Sequence, residues 1–314
     1  MTADPSRPAA EPPVAAPSRI AFLGLGLIGG SIAKALRGRG VASRLIAWTP
    51  DGHDPRSALQ AGVIDEAAAS PAEAIRDAEL VILAGPAGAV LETLADLAAA
   101  RGAAGPATTG LAGATITDVA STKSRIVSAA SAAGLPFVGG HPMAGREGSG
   151  FDAATAELFV GRPWVVVPAA GASPADIGRV AWLAGAVGAR PIQLRPDDHD
   201  RAVAAISHLP LVVAAALVEA VAGPSGSAAP SGWPEARDLA ATGWTDMTRL
   251  ARGDAVMGAG ILATNSAEIA ARLRELRLVI DSWIGDLERQ GGPDEAGLRA
   301  RLSAARARLE EQAG

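Results

Sequence analysis

The sequence predicts an α/β fold, an N-terminal doubly wound parallel sheet followed by an all-helical domain. Three observations carry this prediction. Short apolar runs alternate with helical stretches from Arg19 onward. A glycine-rich turn joins the first run to the first helix. After about Pro196 the strand-like runs stop, while helical spacing continues. Strands that alternate with helices imply right-handed crossovers, which give parallel pairing.

Each element follows in chain order. The opening MTADPSRPAAEPPVAAPSR is rich in Pro and Ala, lacks the apolar core of a signal peptide, and reads as a disordered tail over residues 1–18. RIAFLGLG is a strand entering a glycine turn, and LIGGSIAKALRGRG is the helix behind it. RLIAW, AELVILAG and ATITDVA are later buried strands, with AVLETLADLAAA a helix among them. The parallel rhythm is expected to continue through PWVVVP and ARPIQL, giving a dinucleotide-binding domain over 19–195. DDHDRAVAAISHLPLVVAAALVEAV, SAEIAARLRELRLVIDSWIGDLE and DEAGLRARLSAARARLEEQ then carry helical spacing through 196–314, with GPSGSAAPSGWP as a loop. Their apolar stripes fit a core or a dimer interface. The most apolar run, LVVAAALVEAVAG, is interrupted by Glu219 and is too short to span a bilayer, so a soluble cytoplasmic protein is expected.

Composition narrows the chemistry. A chain of 314 residues with 49% hydrophobic residues buries a real core and suits two domains. The net charge of -5 offers no basic face for nucleic acid or an anionic membrane. With no cysteine, disulfides, zinc–thiolate sites, iron–sulfur clusters and cysteine nucleophiles are excluded. With no tyrosine, a phenolic acid is excluded as well. No metal ligands cluster in the sequence, so chemistry without a metal is the expectation.

GLGLIG, Gly24 to Gly29, fits the G-x-G-x-x-G fingerprint of a Rossmann domain, in its required place between strand and helix. Gly24 permits the tight turn, Gly26 admits a pyrophosphate, and Gly29 lets helix and strand pack closely. Leu27 and Ile28 complete the phosphate-binding turn at the helix N-terminus. The acidic residue that usually binds the adenosine ribose is replaced by Thr49, with Asp51 two residues later. No arginine adjoins Thr49, and Arg56 is the nearest downstream. NAD and NADP both stay open, with a small preference for NAD.

Three polar clusters remain: DVASTK at 118–123, GGHPMAGREGSG at 139–150, and SHLP at 207–210 together with TDMTR at 245–249. The first two follow predicted strands, where open α/β sheets bind ligands. Ser121 reads equally well as the cap of the next helix. The chain has four histidines, and His141 sits on what reads as a glycine-rich loop. His53 reads as an exposed loop residue, and His199 in DDHD as part of a helix start and domain junction.

GLGLIGGS, DVxSxK, GxHPMAGxExSG, LFxGRPW, DDHDxxxAxxSHLP, DMTRLA and Asn265 occur in an order that resembles the prephenate/arogenate dehydrogenase family, from Arg19 to Asp281. The resemblance implies a Rossmann domain with a helical dimerisation domain, hence a homodimer. It also implies NAD(P)-dependent oxidative decarboxylation of prephenate or arogenate, on the route to tyrosine. His141 would be the catalytic base, oriented by a hydrogen bond from Ser121, with Lys123 supporting the same loop on the substrate side. Arg249 would bind a substrate carboxylate, His208 would contact the substrate, and Glu147 would stand near the pocket entrance. The glycines beside His141 would leave room for nicotinamide and substrate.

Some positions depart from the family pattern. Leu211 follows SHLP where His is frequent, Thr245 stands where a basic residue is frequent, and M-W-R-D appears as MGAG. Two rival readings stay open. A β-hydroxyacid dehydrogenase of similar architecture would place a catalytic lysine in the helical domain, and this chain has no lysine after Lys123. A non-catalytic nucleotide sensor would keep the fold without the chemistry.

Overall fold

The computed structural model describes residues 15–104, 111, 113–146, 148–224, 226–228 and 230–311. Five strands form one parallel sheet: β1 (Arg19–Leu23), β2 (Arg44–Trp48), β3 (Glu66–Ala67), β4 (Leu80–Leu83) and β5 (Thr115–Asp118), in the order β3-β2-β1-β4-β5. β1 and β4 are apolar on both faces because helices cover both sides of a parallel sheet. Ile20, Phe22, Leu80 and Ile82 enter one core, while Ala21, Leu23, Val81 and Leu83 enter the other. The strand order reverses between β1 and β4, and Leu23, Leu83 and Asp118 lie level at the carboxyl ends. In such sheets the ligand crevice opens at that reversal.

The parallel rhythm does not extend through PWVVVP. β6 (Val138–Pro142), β7 (Pro163–Pro168) and β8 (Arg190–Gln193) form a separate sheet, with β6–β7 antiparallel and β7–β8 parallel. The physical reason is the connection. Residues 143–162 form turns, with no helix among the described ones, whereas the helix Pro174–Ala186 separates β7 from β8. Without a crossover element the chain returns antiparallel. His141 is therefore a strand residue, paired with Val165 on β7, and not a loop residue.

The predicted tail divides. Residues 1–14 lie outside the described residues, but Pro17 and Ser18 are pinned to the sheet. Ser43 Oγ donates to the Pro17 carbonyl at 2.5 Å, and the Ser18 hydroxyl meets Glu79 Oε1 at 2.5 Å.

Beyond β8, helices cover Pro196–Val203, Leu209–Ala222, Trp233–Asp238, Thr242–Thr248 and Ala255–Thr264. By its internal contacts the chain divides into compact units at Ser266, and the expected 195/196 boundary lies inside the first of them. Hydrogen bonds cross that boundary. The Asp200 carboxylate accepts from the Lys123 and Ser124 amides, at 2.7 and 2.8 Å, and so caps the helix Ser124–Ala132. The Thr122 and Thr264 hydroxyls meet at 2.8 Å, and Arg125 donates to the Ala263 carbonyl. The second unit, Ala267–Gly314, contains most of the helix Ser266–Leu287 and all of Glu295–Glu310. Between these helices, Gly291 and Gly292 both turn at φ +92°.

The apolar run at Leu209 is part of the longer helical stretch that DDHDRAVAAISHLPLVVAAALVEAV predicts. Pro196–Ala222 is one continuous helical stretch of 27 residues, apolar and long enough to cross a membrane by length and composition. It carries His199, Asp200 and His208, all buried and hydrogen-bonded within the protein. A π-helical turn, Ala204–His208, interrupts it just before Pro210. A proline has no N–H to donate to the preceding turn, and a widened turn absorbs the lost bond.

Candidate active site

The glycine turn has the geometry a dinucleotide needs. Gly24 turns at φ +102°, and a Cβ there would lie 2.5 Å from the Ala84 carbonyl oxygen. Gly29 is equally enclosed, with Gly24 O 2.7 Å from where its Cβ would be. A Cβ on Gly26 would meet nothing within 4 Å, so open space faces the helix that starts at Leu27. That helix has no side-chain cap and no acidic residue in its first turn, which leaves its amides for an anion. Leu27 and Ile28 are half-buried at this turn. Beyond β2, Thr49 Oγ1 donates to Asp51 Oδ1 at 3.0 Å. The His53 amide and then this hydroxyl hold the exposed Asp51 carboxyl below its ordinary range.

His141 is brought to the end of β5 by two glycines packed against protein. A Cβ on Gly139 would lie 2.9 Å from Lys123 Cδ, and one on Gly140 would lie 2.6 Å from the Asp118 carbonyl oxygen and 3.0 Å from Trp164 Nε1. These glycines make room for Asp118, Lys123 and Trp164, where the sequence reading gave that room to nicotinamide and substrate. Asp118 anchors the junction: its carboxylate accepts from the Gly140 and Ala120 amides, at 3.1 and 3.0 Å, and pairs with Lys123 Nζ.

Lys123 therefore does not stand on a substrate surface. It is wholly buried and tied to Asp118, so its place is structural. Burial pushes the Asp118 carboxyl up and the Lys123 ammonium down, and their pairing opposes both shifts.

Ser121 is half-buried and makes no hydrogen bond to His141 among the described residues. The His141 ring instead meets His199, with Nδ1 2.8 Å from His199 Nε2. The rings are edge-on, 5.0 Å between centroids. His199 Nδ1 in turn lies 2.8 Å from Asp200 Oδ1. His199 was legible only as part of a helix start and domain junction, and Asp200 not at all. The available signal was the density of carboxylates around one histidine in DDHD.

The second histidine pair involves Asn265. Its amide Nδ2 donates to the Asp200 carbonyl at 2.9 Å and lies 3.2 Å from His208 Nδ1. The carbonyl fixes that amide group as the donor, so His208 Nδ1 accepts and its Nε2 carries the proton. That Nε2 is buried without a partner among the described residues. An orphaned buried N–H costs free energy unless a ligand accepts from it.

Burial, and then the neighbouring His199, Lys123 and His208, push His141 well below the ordinary imidazole range. Burial likewise lowers His208 to about 4. A histidine with a lowered folded pKa stabilises the fold above its unfolded pKa, and this contribution is lost as pH falls. Melting temperature is therefore expected to drop between about pH 6.5 and about pH 4. In His208→Gln the drop should be shallower, as followed by circular dichroism. An identical pH dependence in that variant would refute the buried neutral state of His208.

Arg249 opens a short 3₁₀ turn, Arg249–Arg252, packed beside the helix Leu209–Ala222. Its side chain is exposed and has no ion-pair partner among the described residues. Glu147 lies outside the described residues. In the MGAG segment, a Cβ on Gly260 would come to 3.9 Å from the Ala87 Cβ, so this helix face packs closely on the helix Ala87–Ala104. A cavity of about 600 Å³ lies elsewhere, lined by Arg101, Leu111, Pro136 and Arg179 among others. None of the residues around His141 lines it, so it is set apart from this chemistry.

Fold and site together define a nucleotide-binding dehydrogenase with a buried neutral histidine at the carboxyl end of its sheet. Residues 32–193 match the prephenate dehydrogenase nucleotide-binding domain, and residues 195–293 match the prephenate dehydrogenase dimerization domain. The chain belongs to the prephenate dehydrogenase family. It is 33% identical over 275 residues to prephenate dehydrogenase of Bacillus subtilis, covering 86% of this chain and 68% of that one. Synechocystis arogenate dehydrogenase superposes with a TM-score of 0.73 at 31% identity, over 93% of this chain and 99% of the other. Prephenate dehydrogenase from A. aeolicus, in complex with hydroxyphenyl propionate and NAD⁺, gives 0.81 at 25% identity, over 93% and 98%.

Proposed function

We propose that this protein oxidatively decarboxylates prephenate, arogenate or both, within tyrosine biosynthesis, and that it uses NAD⁺ in preference to NADP⁺. The observation that carries the reading is His141 itself, a buried neutral imidazole at the sheet end beside the dinucleotide crevice. A nicotinamide cofactor held at the glycine turn would supply the acceptor for the hydride of the ring's carbinol carbon. His141 accepts the proton of the ring hydroxyl as carbon dioxide departs and the ring becomes aromatic. The buried His208 N–H, without a partner among the described residues, supports a role in donating to a substrate oxygen, and the exposed Arg249 one in meeting a carboxylate. Gly24, Gly26, Leu27, Ile28 and Gly29 would hold the pyrophosphate. Thr49 with the Asp51 carboxylate would favour ribose hydroxyls over a 2′-phosphate.

The active form is proposed to be a cytoplasmic homodimer. The match to a dimerization domain supports this, as do the exposed Leu278, Val279 and Ile284 on the helix Ser266–Leu287. Initial rates with prephenate and with L-arogenate, each with NAD⁺ and NADP⁺, test the whole reading. Turnover is expected with at least one substrate and fastest with NAD⁺. Faster rates with NADP⁺ would overturn the cofactor preference, and no turnover in any combination would overturn the reaction.

A further inference from the structure

We infer that His199, backed by Asp200, is a positioning residue that holds His141 in the one tautomer able to act as a base. The inference rests on the proposed role of His141 for its catalytic meaning, while the hydrogen-bond chain stands on geometry alone. That chain can be read from its buried end. Asp200 is a carboxylate: its Oδ1 accepts from the Lys123 amide and its Oδ2 from the Ser124 amide, which leaves it no proton to donate. Asp200 Oδ1 therefore accepts from His199 Nδ1, 2.8 Å away. With a single ring proton, held at Nδ1 by that carboxylate, His199 presents a lone pair at Nε2. The atom facing that lone pair is His141 Nδ1 at 2.8 Å, so His141 must donate from Nδ1. One proton remains per neutral ring, and His141 Nε2 is left as the acceptor.

The direction of this chain is set by carboxyl chemistry and not by His141, which by itself could take either tautomer. His199 and Asp200 are both almost fully buried, so water does not compete for these bonds. Asn265 fixes the backbone at the same point through its bond to the Asp200 carbonyl. When His141 receives a proton at Nε2, its Nδ1–H continues to donate to His199, and the positive charge faces the Asp200 carboxylate through one ring. No atom has to move for the base to become the acid. The site thus has the directional logic of a carboxylate-oriented histidine, with a second imidazole as spacer.

The test combines a tautomer measurement with kinetics. Long-range ¹H–¹⁵N spectra of the full-length protein at neutral pH report which ring nitrogen of each of its four histidines carries the proton. The His141 signals would be assigned by their absence in His141→Asn. The expected result is an Nδ1-protonated His141 in the unliganded wild type. In His199→Leu that preference should be lost, and turnover should fall about 100-fold, with KM for cofactor and substrate within about threefold. His199→Gln is the conservative variant: its amide can accept from His141 and donate to Asp200, so it should keep the tautomer and recover most of the turnover. An Nε2-protonated His141 in the wild type overturns the inference, as does equal loss of turnover in the Leu and Gln variants with the tautomer unchanged. If the Leu variant does not fold, the wild-type spectrum and the Gln variant decide the matter. A wild type with the expected tautomer but no turnover on either substrate supports the positioning chain and removes the proposed reaction instead.

Discussion

Replacing His141 by asparagine is expected to lower turnover by two or more orders of magnitude while cofactor binding stays close to wild type. The size follows from the general-base contribution, which is about 100-fold to 10,000-fold when a positioned side chain takes the proton in the rate-determining step. Asparagine keeps a polar side chain near the His199 ring but has no basic nitrogen. The dinucleotide turn at Gly24–Gly29 lies on a different connection, after β1, and makes none of its close contacts with β6. Nucleotide affinity, followed by fluorescence of the protein's tryptophans, should therefore change less than threefold. The same variant separates catalysis from packing, since thermal melting shows any cost of disturbing the buried ring. Wild-type turnover in His141→Asn would remove this residue as the base.

The glycine fingerprint was legible because its demands are local. A tight turn at positive φ and a close approach to Ala84 can be met only by glycine, whatever the rest of the fold does. The strands were legible for a similar reason, since burial on both faces requires apolar runs such as RIAFL and LVIL. The partners of polar groups were not legible. Nothing local says that Lys123 turns inward to Asp118, or that the neighbour of His141 is His199, 58 residues on, rather than Ser121. Those choices depend on how the helix Pro196–Val203 docks against the loop after β5, a long-range event with no sequence period. The antiparallel β6–β7 pair was missed because VGGHP reads as a glycine-rich loop, and because the apolar PWVVVP looks the same in either direction. Only the absence of a crossover helix distinguishes them.

Changing Arg249 to glutamine should act on substrate affinity. The arginine is exposed on its 3₁₀ turn and satisfies no carboxylate among the described residues, so removing it breaks nothing internal. This contrasts with Arg37, which pairs with Asp65, and with Arg179, which bonds the Thr115 hydroxyl. A guanidinium without an internal partner has its planar fork free for an anion, and prephenate and arogenate each carry carboxylates. A charge-assisted bond of that kind is worth about 1.5–3 kcal/mol, so KM should rise roughly 10- to 150-fold. Turnover at saturation should fall much less, provided the same contact exists in ground state and transition state. Arg249→Lys is the informative companion, because it keeps the charge and loses the fork; it should recover only part of the affinity. Melting temperature should stay within a degree or two of wild type in both variants. An unchanged KM in Arg249→Gln would mean that the substrate carboxylate is held elsewhere. The His208 N–H, which with Arg19 Nε and Trp164 Nε1 is one of three buried donors of this unit without a partner among the described residues, would then be the next group to test.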